Sequence, residues 1–167
     1  VDGLAREYGV EREELRAYAQ ANCRGLHGIA RAFNVFEHMD GRSDNGGESE
    51  ARAAMILAGV AAPELQVEIT RPGNAGYYLA DYGWQMPNGS WMLAELHGLG
   101  KFEDDAQNDP EHTAAKTYRA ALMRDANLRA MGHNVIHFKL SDTYDVKTFV
   151  SMMRGYGIPT TKPYADS

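Results

Sequence analysis

Two apolar, strand-like runs on either side of a single turn signal constrain this chain more than any other feature. The first is Tyr77-Tyr78-Leu79-Ala80-Asp81-Tyr82-Gly83-Trp84 and the second is Trp91-Met92-Leu93-Ala94-Glu95-Leu96-His97. Between them lies Pro87-Asn88-Gly89. Pro suits the opening of a type I turn, and Gly the left-handed position that closes a three-residue hairpin loop. Such a loop closes on Met86 and Ser90, and counting outward sets Asp81 opposite Glu95. Side chains alternate along a strand, so Tyr77, Leu79, Asp81 and Gly83 are expected on one face. Trp91, Leu93, Glu95 and His97 are expected on one face of the next strand. A slip of one residue would send the two acids to opposite faces, so the pairing depends on the turn.

Two carboxylates facing each other across an antiparallel pair repel, and burying either is costly without compensation. A third acid, Glu50, opens the short helical stretch Glu50 to Ala58. A divalent cation compensates several carboxylates at once. The competing reading is a sheet with one wet face on which two acids lie. Glu48 competes with Glu50: a helical wheel sets Glu50 only somewhat nearer the apolar stripe, and Glu48 has Arg52 four residues on as a surface partner.

The remaining elements follow from periodicity and punctuation. Residues 4–21 read as one helix with Leu4, Tyr8, Leu15, Tyr18 and Ala19 as apolar positions. Residues 23–39 hold a second helical stretch, and Asp40 to Gly47 is a loop and the internal boundary. A helix then leads to strands at 65–70, 77–84 and 91–97, and a polar loop runs from Gly98 to Asn108. A long helix starts with Asp109 as N-cap and Pro110 in the first turn, and stops at Gly132. A buried strand, 134–140, and a closing helix, 141–156, complete the order. The expected organisation is an N-terminal helical segment (1–42), an α/β core (43–156) and a C-terminal tail (157–167), frayed or docked. On the long helix Asp125 falls inside the stripe Ala114, Tyr118, Ala121, Leu122 and Leu128, which should face the sheet. It reads either as a site acid or as a rim acid capturing an Arg or a backbone amide.

Composition narrows the function classes. With 167 residues, 44% hydrophobic and 24% charged, the chain has enough material for one sizeable core. No run reaches the apolar length of a membrane span and no signal peptide is visible, so a cytoplasmic setting is the expectation. A start at Val1 suits part of a longer protein. The one cysteine, Cys23, forms neither an internal disulfide nor a zinc site alone. A net charge of −6 counts against a broad electrostatic grip on nucleic acid. Local cations remain at Arg24 and Arg31, and at Lys116, Arg119, Arg124 and Arg129 on the long helix. Their simpler reading is a solvated face with ion pairs. No phosphate-cradling Gly loop, Ser-His-Asp order or paired CxxC points to another enzyme class.

A helix with Glu, a strand with Asp and a next strand with Glu form an ordered set with several flanking blocks. These are Gly46-Gly47-Glu48-Ser49-Glu50-Ala51-Arg52, Leu57-Ala58-Gly59-Val60-Ala61-Ala62-Pro63-Glu64-Leu65-Gln66-Val67, Ala80-Asp81-Tyr82 and Ala94-Glu95-Leu96-His97-Gly98. Leu128 to Phe138 closes the set. In that order the chain resembles PD-(D/E)XK restriction-endonuclease-like nucleases from about Cys23 to Asp142. The nearer likeness is to very-short-patch-repair-type endonuclease domains, which occur in actinobacterial proteins, often behind a winged-helix module like that of abortive-infection antitoxins. The resemblance implies a restriction-endonuclease-like central mixed sheet of about four strands flanked by helices. It implies Mg2+ (or Mn2+) on Asp81 and Glu95, with Glu50 on a second ion or a metal-bound water. DNA is the implied substrate and partner, and an antitoxin-like module the implied neighbour.

Departures from the pattern fall on the auxiliary residues. The wider superfamily has Lys two positions after the strand Glu and the subfamily more often Asp; here that position is His97. The subfamily's His, six positions after the strand Glu, corresponds to Lys101. Its helix acid falls on Ala121, with Asp125 one turn later. His97 reads as a metal ligand, a general base or a polar strand end. Lys101 lies in a loop able to reach back. Gln66 is a site polar group or a strand-edge Gln, and His112, His133 and His137 make no metal spacing. The resulting expectation is a Mg-dependent DNA endonuclease. Its alternative is a degenerate, non-catalytic nuclease-fold module that binds DNA or a protein partner.

Overall fold

A computed structural model of the chain describes residues 1–97 and 110–161. The elements run α1 (Asp2–Tyr8), α2 (Arg12–Asn22), α3 (Ile29–Glu37), α4 (Gly46–Leu57), β1 (Glu64–Thr70), β2 (Tyr77–Gln85), β3 (Trp91–Leu96), α5 (Pro110–Ala130), β4 (Asn134–Phe138) and α6 (Val146–Gly155). They divide into two compact units, Val1–Ser49 and Glu50–Ser167.

In the first unit, the single helix expected over 4–21 is two. Gly9 takes φ 63°, and this left-handed cap ends α1, its N–H donating to Ala5 O at 3.0 Å. A new start follows at once: the Glu14 carboxylate receives the Glu11 N–H at 2.9 Å. Apolar spacing continues across this stop and start, which is why periodicity alone merges them. α3 occupies only part of the 23–39 stretch. Arg16 joins α2 to α3, ion-paired with Glu37 and lying 5.3 Å over the Phe33 ring. α4 begins at Gly46, ahead of the expected start at Glu50, because Asn45 accepts the Glu48 N–H at 3.0 Å.

The second unit is built on a four-stranded sheet in the order β1-β2-β3-β4. β1–β2 and β2–β3 are antiparallel and β3–β4 is parallel. A parallel neighbour needs a crossover, and α5 lies in that connection. The hairpin turn has the expected chemistry. Gly89 sits at φ 81° and donates to Met86 O at 2.9 Å, while Met86 N–H donates to Ser90 O at 2.8 Å. Asn88 Oδ1 accepts from Ser90 N at 3.0 Å and tightens the loop. The register from Gln85↔Trp91 to Tyr82↔Ala94 follows from that closure.

Helices pack on both faces of the sheet. On one, Ala51 and Met55 of α4 and Phe149 and Met153 of α6 cover Tyr82, Met92, Ala94 and Phe138. On the other, Leu128 of α5 and Met131 just past it cover Val67, Ile69, Ala80, Leu93 and Val135. Burying one side chain such as Leu93 or Phe149 is worth about 1.5–3 kcal/mol. The architecture is therefore α/β, a mixed four-stranded sheet flanked by helices, with helices preceding it in the chain. No helix of the described residues is long and apolar enough to cross a membrane.

Two expectations are corrected here, and the tail takes one of its two expected forms. Leu128 is buried, but Tyr118, Ala121 and Leu122 of the same stripe are exposed. A helix of this length runs for about 30 Å while strands of five or six residues span about 17–20 Å, so only its last turns meet the sheet. The closing helix begins at Val146, because Leu140–Tyr144 forms a 3-10 turn first. The tail is docked through Thr161: Ala61 N–H donates to Pro159 O at 2.9 Å and Ile158 is buried. Lys101, Asp109 and the 98–108 loop lie outside the described residues.

Candidate functional site

The alternation expected along β2 fails at one residue, and that residue is Asp81. Tyr78 and Ala80 pack on the α5 side of the sheet, whereas Tyr82 and Trp84 pack on the other. A period-two strand cannot do this without an irregularity. β1 switches at the same level, with Leu65 on one side and Val67 and Ile69 on the other. The β1–β2 register runs from Glu64↔Gly83 to Thr70↔Tyr77 and skips only Gln66 and Asp81. Both strands flip together, so the register survives. Gln66 carries the strain at φ 52°, a backbone state that costs a non-glycine residue roughly 1 kcal/mol or more. Tyr77, Leu79, Asp81 and Gly83 therefore do not share a face.

The break frees the Asp81 carboxylate for another task. The last β2–β3 pair is Tyr82↔Ala94, and beyond it Asp81 Oδ2 accepts the Leu96 N–H at 2.8 Å. A charge-assisted bond stands where a backbone acceptor would continue the ladder. One step past that last pair, the same count sets Asp81 opposite Glu95. Glu95 is ion-paired with Arg124 of α5, whose guanidinium also donates to Leu79 O at 2.7 Å. Burial raises the Glu95 carboxyl above its ordinary range and the Asp81 charge adds to that. Arg124 and His137 pull it back only in part.

A second cluster adjoins the first through β4. The parallel register sets His137 beside Glu95. His137 Nε2 lies 2.7 Å from Asp125 Oδ2, and Arg129 Nη2 lies 3.8 Å from the same oxygen. Asp125 is buried, and its Oδ1 has no hydrogen-bond partner among the described residues. His97 lies just past β3, with its N–H donating to Phe138 O at 2.8 Å. Its ring stacks on His137 with centroids 4.8 Å apart. Desolvation, then the neighbouring His137 and Lys139, lower the His97 pKa from its ordinary value.

Of the sequence-derived site residues, Asp81, Glu95 and His97 come together and Glu50 does not join them. Glu50 is exposed, because α4 buries the stripe containing Ala51 and Met55. Its rival Glu48 is buried but acts as a cap, accepting from Asp44 N–H and Asn45 Nδ2, each at 2.8 Å. Among the described residues no three His, Cys, Asp or Glu side chains lie close enough to hold a metal ion. The three-acid centre is therefore not assembled. Two carboxylates remain, and a Mg2+ that keeps most of its waters takes one or two. Burial, and after it the Asp81 charge, disfavour the ionised Glu95, and a cation would offset both, so Asp81 and Glu95 would fit such an ion once Arg124 yields its place.

Arg124, Asp125 and His137 were not predicted as a set. The signal for His137 is the alternation Val135/His137 in β4, which points both toward α5. It becomes readable only with the parallel β3–β4 register.

No family model matches the chain, and no solved structure matches it. An uncharacterized protein of Mycobacterium tuberculosis strain ATCC 25618 / H37Rv is 36% identical over 84 residues, which is 50% of this chain and 30% of that protein. An uncharacterized protein of strain CDC 1551 / Oshkosh is similar to the same extent. The chain spans about 30% of the length of these curated relatives.

Proposed function

We propose that the open end of β2–β3 is a metal-dependent phosphodiesterase site acting on nucleic acid, with DNA as the first candidate substrate. The observation that carries this reading is the Asp81–Glu95 juxtaposition at a deliberate break in the sheet. The order α4-β1-β2-β3-α5-β4, with Asp on the second strand and Glu on the third, supports it. When bound, a divalent cation supplies Lewis-acid polarisation of the phosphoryl oxygen and a lowered pKa for water. The chain's own groups do the rest. Leu96 N–H fixes the Asp81 carboxylate, and Asp81 and Glu95 hold the cation. Arg124, released from Glu95, offers a planar pair of donors to a phosphate oxygen. His97, deprotonated near neutrality, accepts the proton of the attacking water. Asp125 holds His137, and His137 backs the His97 ring.

Nicking of supercoiled plasmid in Mg2+ or Mn2+, wild type against Asp81→Asn, tests the reading. Wild type nicks, and Asp81→Asn loses activity by about a hundredfold or more. A second reading is favoured by one observation, the Arg124 guanidinium on Glu95: a nuclease-like module whose own arginine replaces the metal and which binds without cutting. Wild-type protein that binds the plasmid but fails to nick it with every divalent ion tried favours that second reading over the first.

A further inference from the structure

Beside α5, the far end of the β1–β2 pair carries groups for which phosphodiester chemistry at Asp81 has no use. Arg71, just after β1, is exposed, and its guanidinium lies over the Tyr78 ring at 4.3 Å from the centroid. The Tyr78 hydroxyl accepts from Asn127 Nδ2 of α5 at 2.8 Å, which fixes the ring. One helical turn before Asn127, Arg124 donates to Leu79 O and pairs with Glu95. These contacts form one continuous row from Arg71 to the candidate site.

The row is short of negative charge. Among the described residues the Arg71 guanidinium makes no ion pair and no hydrogen bond, so its five N–H donors have no acceptor there. An exposed Arg with no carboxylate partner normally samples many rotamers; stacking on an anchored ring holds this one in place. Glu95 is already matched by Arg124. Lys116 and Arg119, further along α5, are exposed and without an ion-pair partner among the described residues. Among the described residues Arg71, Lys116 and Arg119 thus carry charge that no carboxylate matches, in a chain of net charge −6. Charge complementarity selects a polyanion. One face of the Arg71 guanidinium covers Tyr78, leaving the other for a flat, stackable group.

We propose that this row is a strand-binding track for a single nucleic-acid strand. Arg71, stacked on Tyr78, takes a phosphate and stacks a base. Arg124, Arg119 and Lys116 follow the backbone and bring it to Asp81 and Glu95. The ligand class rests on the nuclease reading above, but the track is tested by binding and that reading by cleavage.

Fluorescence anisotropy with labelled thymidine and uridine oligonucleotides of about 16 nucleotides, in EDTA, measures the track without cutting. Wild type binds one or both. Arg71→Ala weakens binding about tenfold and lowers the salt slope by about one. Tyr78→Leu, which removes no charge, also weakens binding severalfold. Arg71→Lys keeps the charge but not the plane and fails to restore wild-type affinity. Arg154→Ala, on α6 at the opposite face of the sheet, binds as wild type. Circular dichroism melts screen Tyr78→Leu for folding, and exposed Arg71 gives a second test that does not depend on it. Wild type that binds neither oligonucleotide, binds only duplex, or binds equally well without Arg71 overturns the track. Nicking by wild type alongside unchanged affinity in Arg71→Ala rejects the track and leaves the nuclease reading standing. Affinity that depends on Arg71 in a protein that never nicks does the reverse.

Discussion

The two halves of the β2–β3 hairpin follow opposite rules. From the Pro87 turn to the Tyr82↔Ala94 pair the ladder is regular, and Tyr82, Leu93 and Ala94 are wholly buried. Past that pair the ladder stops, and Asp81, Glu95 and His97 take over from apolar side chains. The regular half stabilises; the open half costs stability, through Gln66 at positive φ and a carboxyl whose pKa is driven up by burial. The difference teaches how a site is positioned here. A tight turn sets the register, the register sets the two acids opposite one another, and the packed half holds them in place against their repulsion.

If that division is right, equal-sized insults to the two halves have unequal effects. Leu93→Ala removes a side chain with no exposed surface and should destabilise by about 2–5 kcal/mol. Asp81→Asn keeps an oxygen for the Leu96 N–H and should cost under about 1 kcal/mol. Urea melts at neutral pH read both, with the slope unchanged between variants. A loss in Asp81→Asn as large as that in Leu93→Ala would mean the break is structural, and the comparison would fail.

A second, smaller effect probes how tightly the regular half is closed. A Cβ built on Gly83 meets Val67 Cγ2 at 2.8 Å and the Trp91 ring at 3.1 Å. Gly83→Ala should therefore destabilise by about 1–3 kcal/mol through overpacking, although alanine normally favours the folded state over glycine. Val67→Ala opens space at that contact, so the double variant should be less destabilised than the sum of the two singles. Additive losses would show that Gly83 is not where the β1 and β3 side chains meet.

The same contrast explains what could be read from the sequence. The Pro87-Asn88-Gly89 loop was legible because turn chemistry is local, and with it came the register down to Tyr82↔Ala94. The face switch was not, because Gln66 is no residue that positive φ prefers and its partner at the break lies across the sheet. Glu50 went astray because a wheel ranks helix faces without knowing what packs on them. His137 and Arg124 enter through β4 and α5, whose register on β3 is set by tertiary packing. The Gly9 cap was hidden inside an otherwise continuous helical pattern.

The smallest expected effect is the most specific to the open half, and it is electrostatic. The Glu95 carboxyl is raised above its ordinary value of 4.5, so the folded state holds this proton more tightly than the unfolded state. Its contribution to stability is complete below about that ordinary value and is lost as pH rises through the raised folded value. Glu95→Gln cannot ionise. It should match wild type in acid and be the more stable protein at neutral pH. The gain should stay under about 1 kcal/mol, because the lost Arg124 ion pair offsets part of it. Thermal melts at pH 4 and pH 7.5 read the crossover. Millimolar Mg2+ or Mn2+ then sharpens the test: an ion taken up by Asp81 and Glu95 stabilises wild type by binding the native state and narrows the gap at neutral pH. Glu95→Gln, with one carboxylate fewer, should gain less. A wild type that stays below Glu95→Gln at neutral pH and ignores both ions would keep the electrostatic account of Glu95. It would also show that Arg124, not a metal, is the resident counter-charge of the open half.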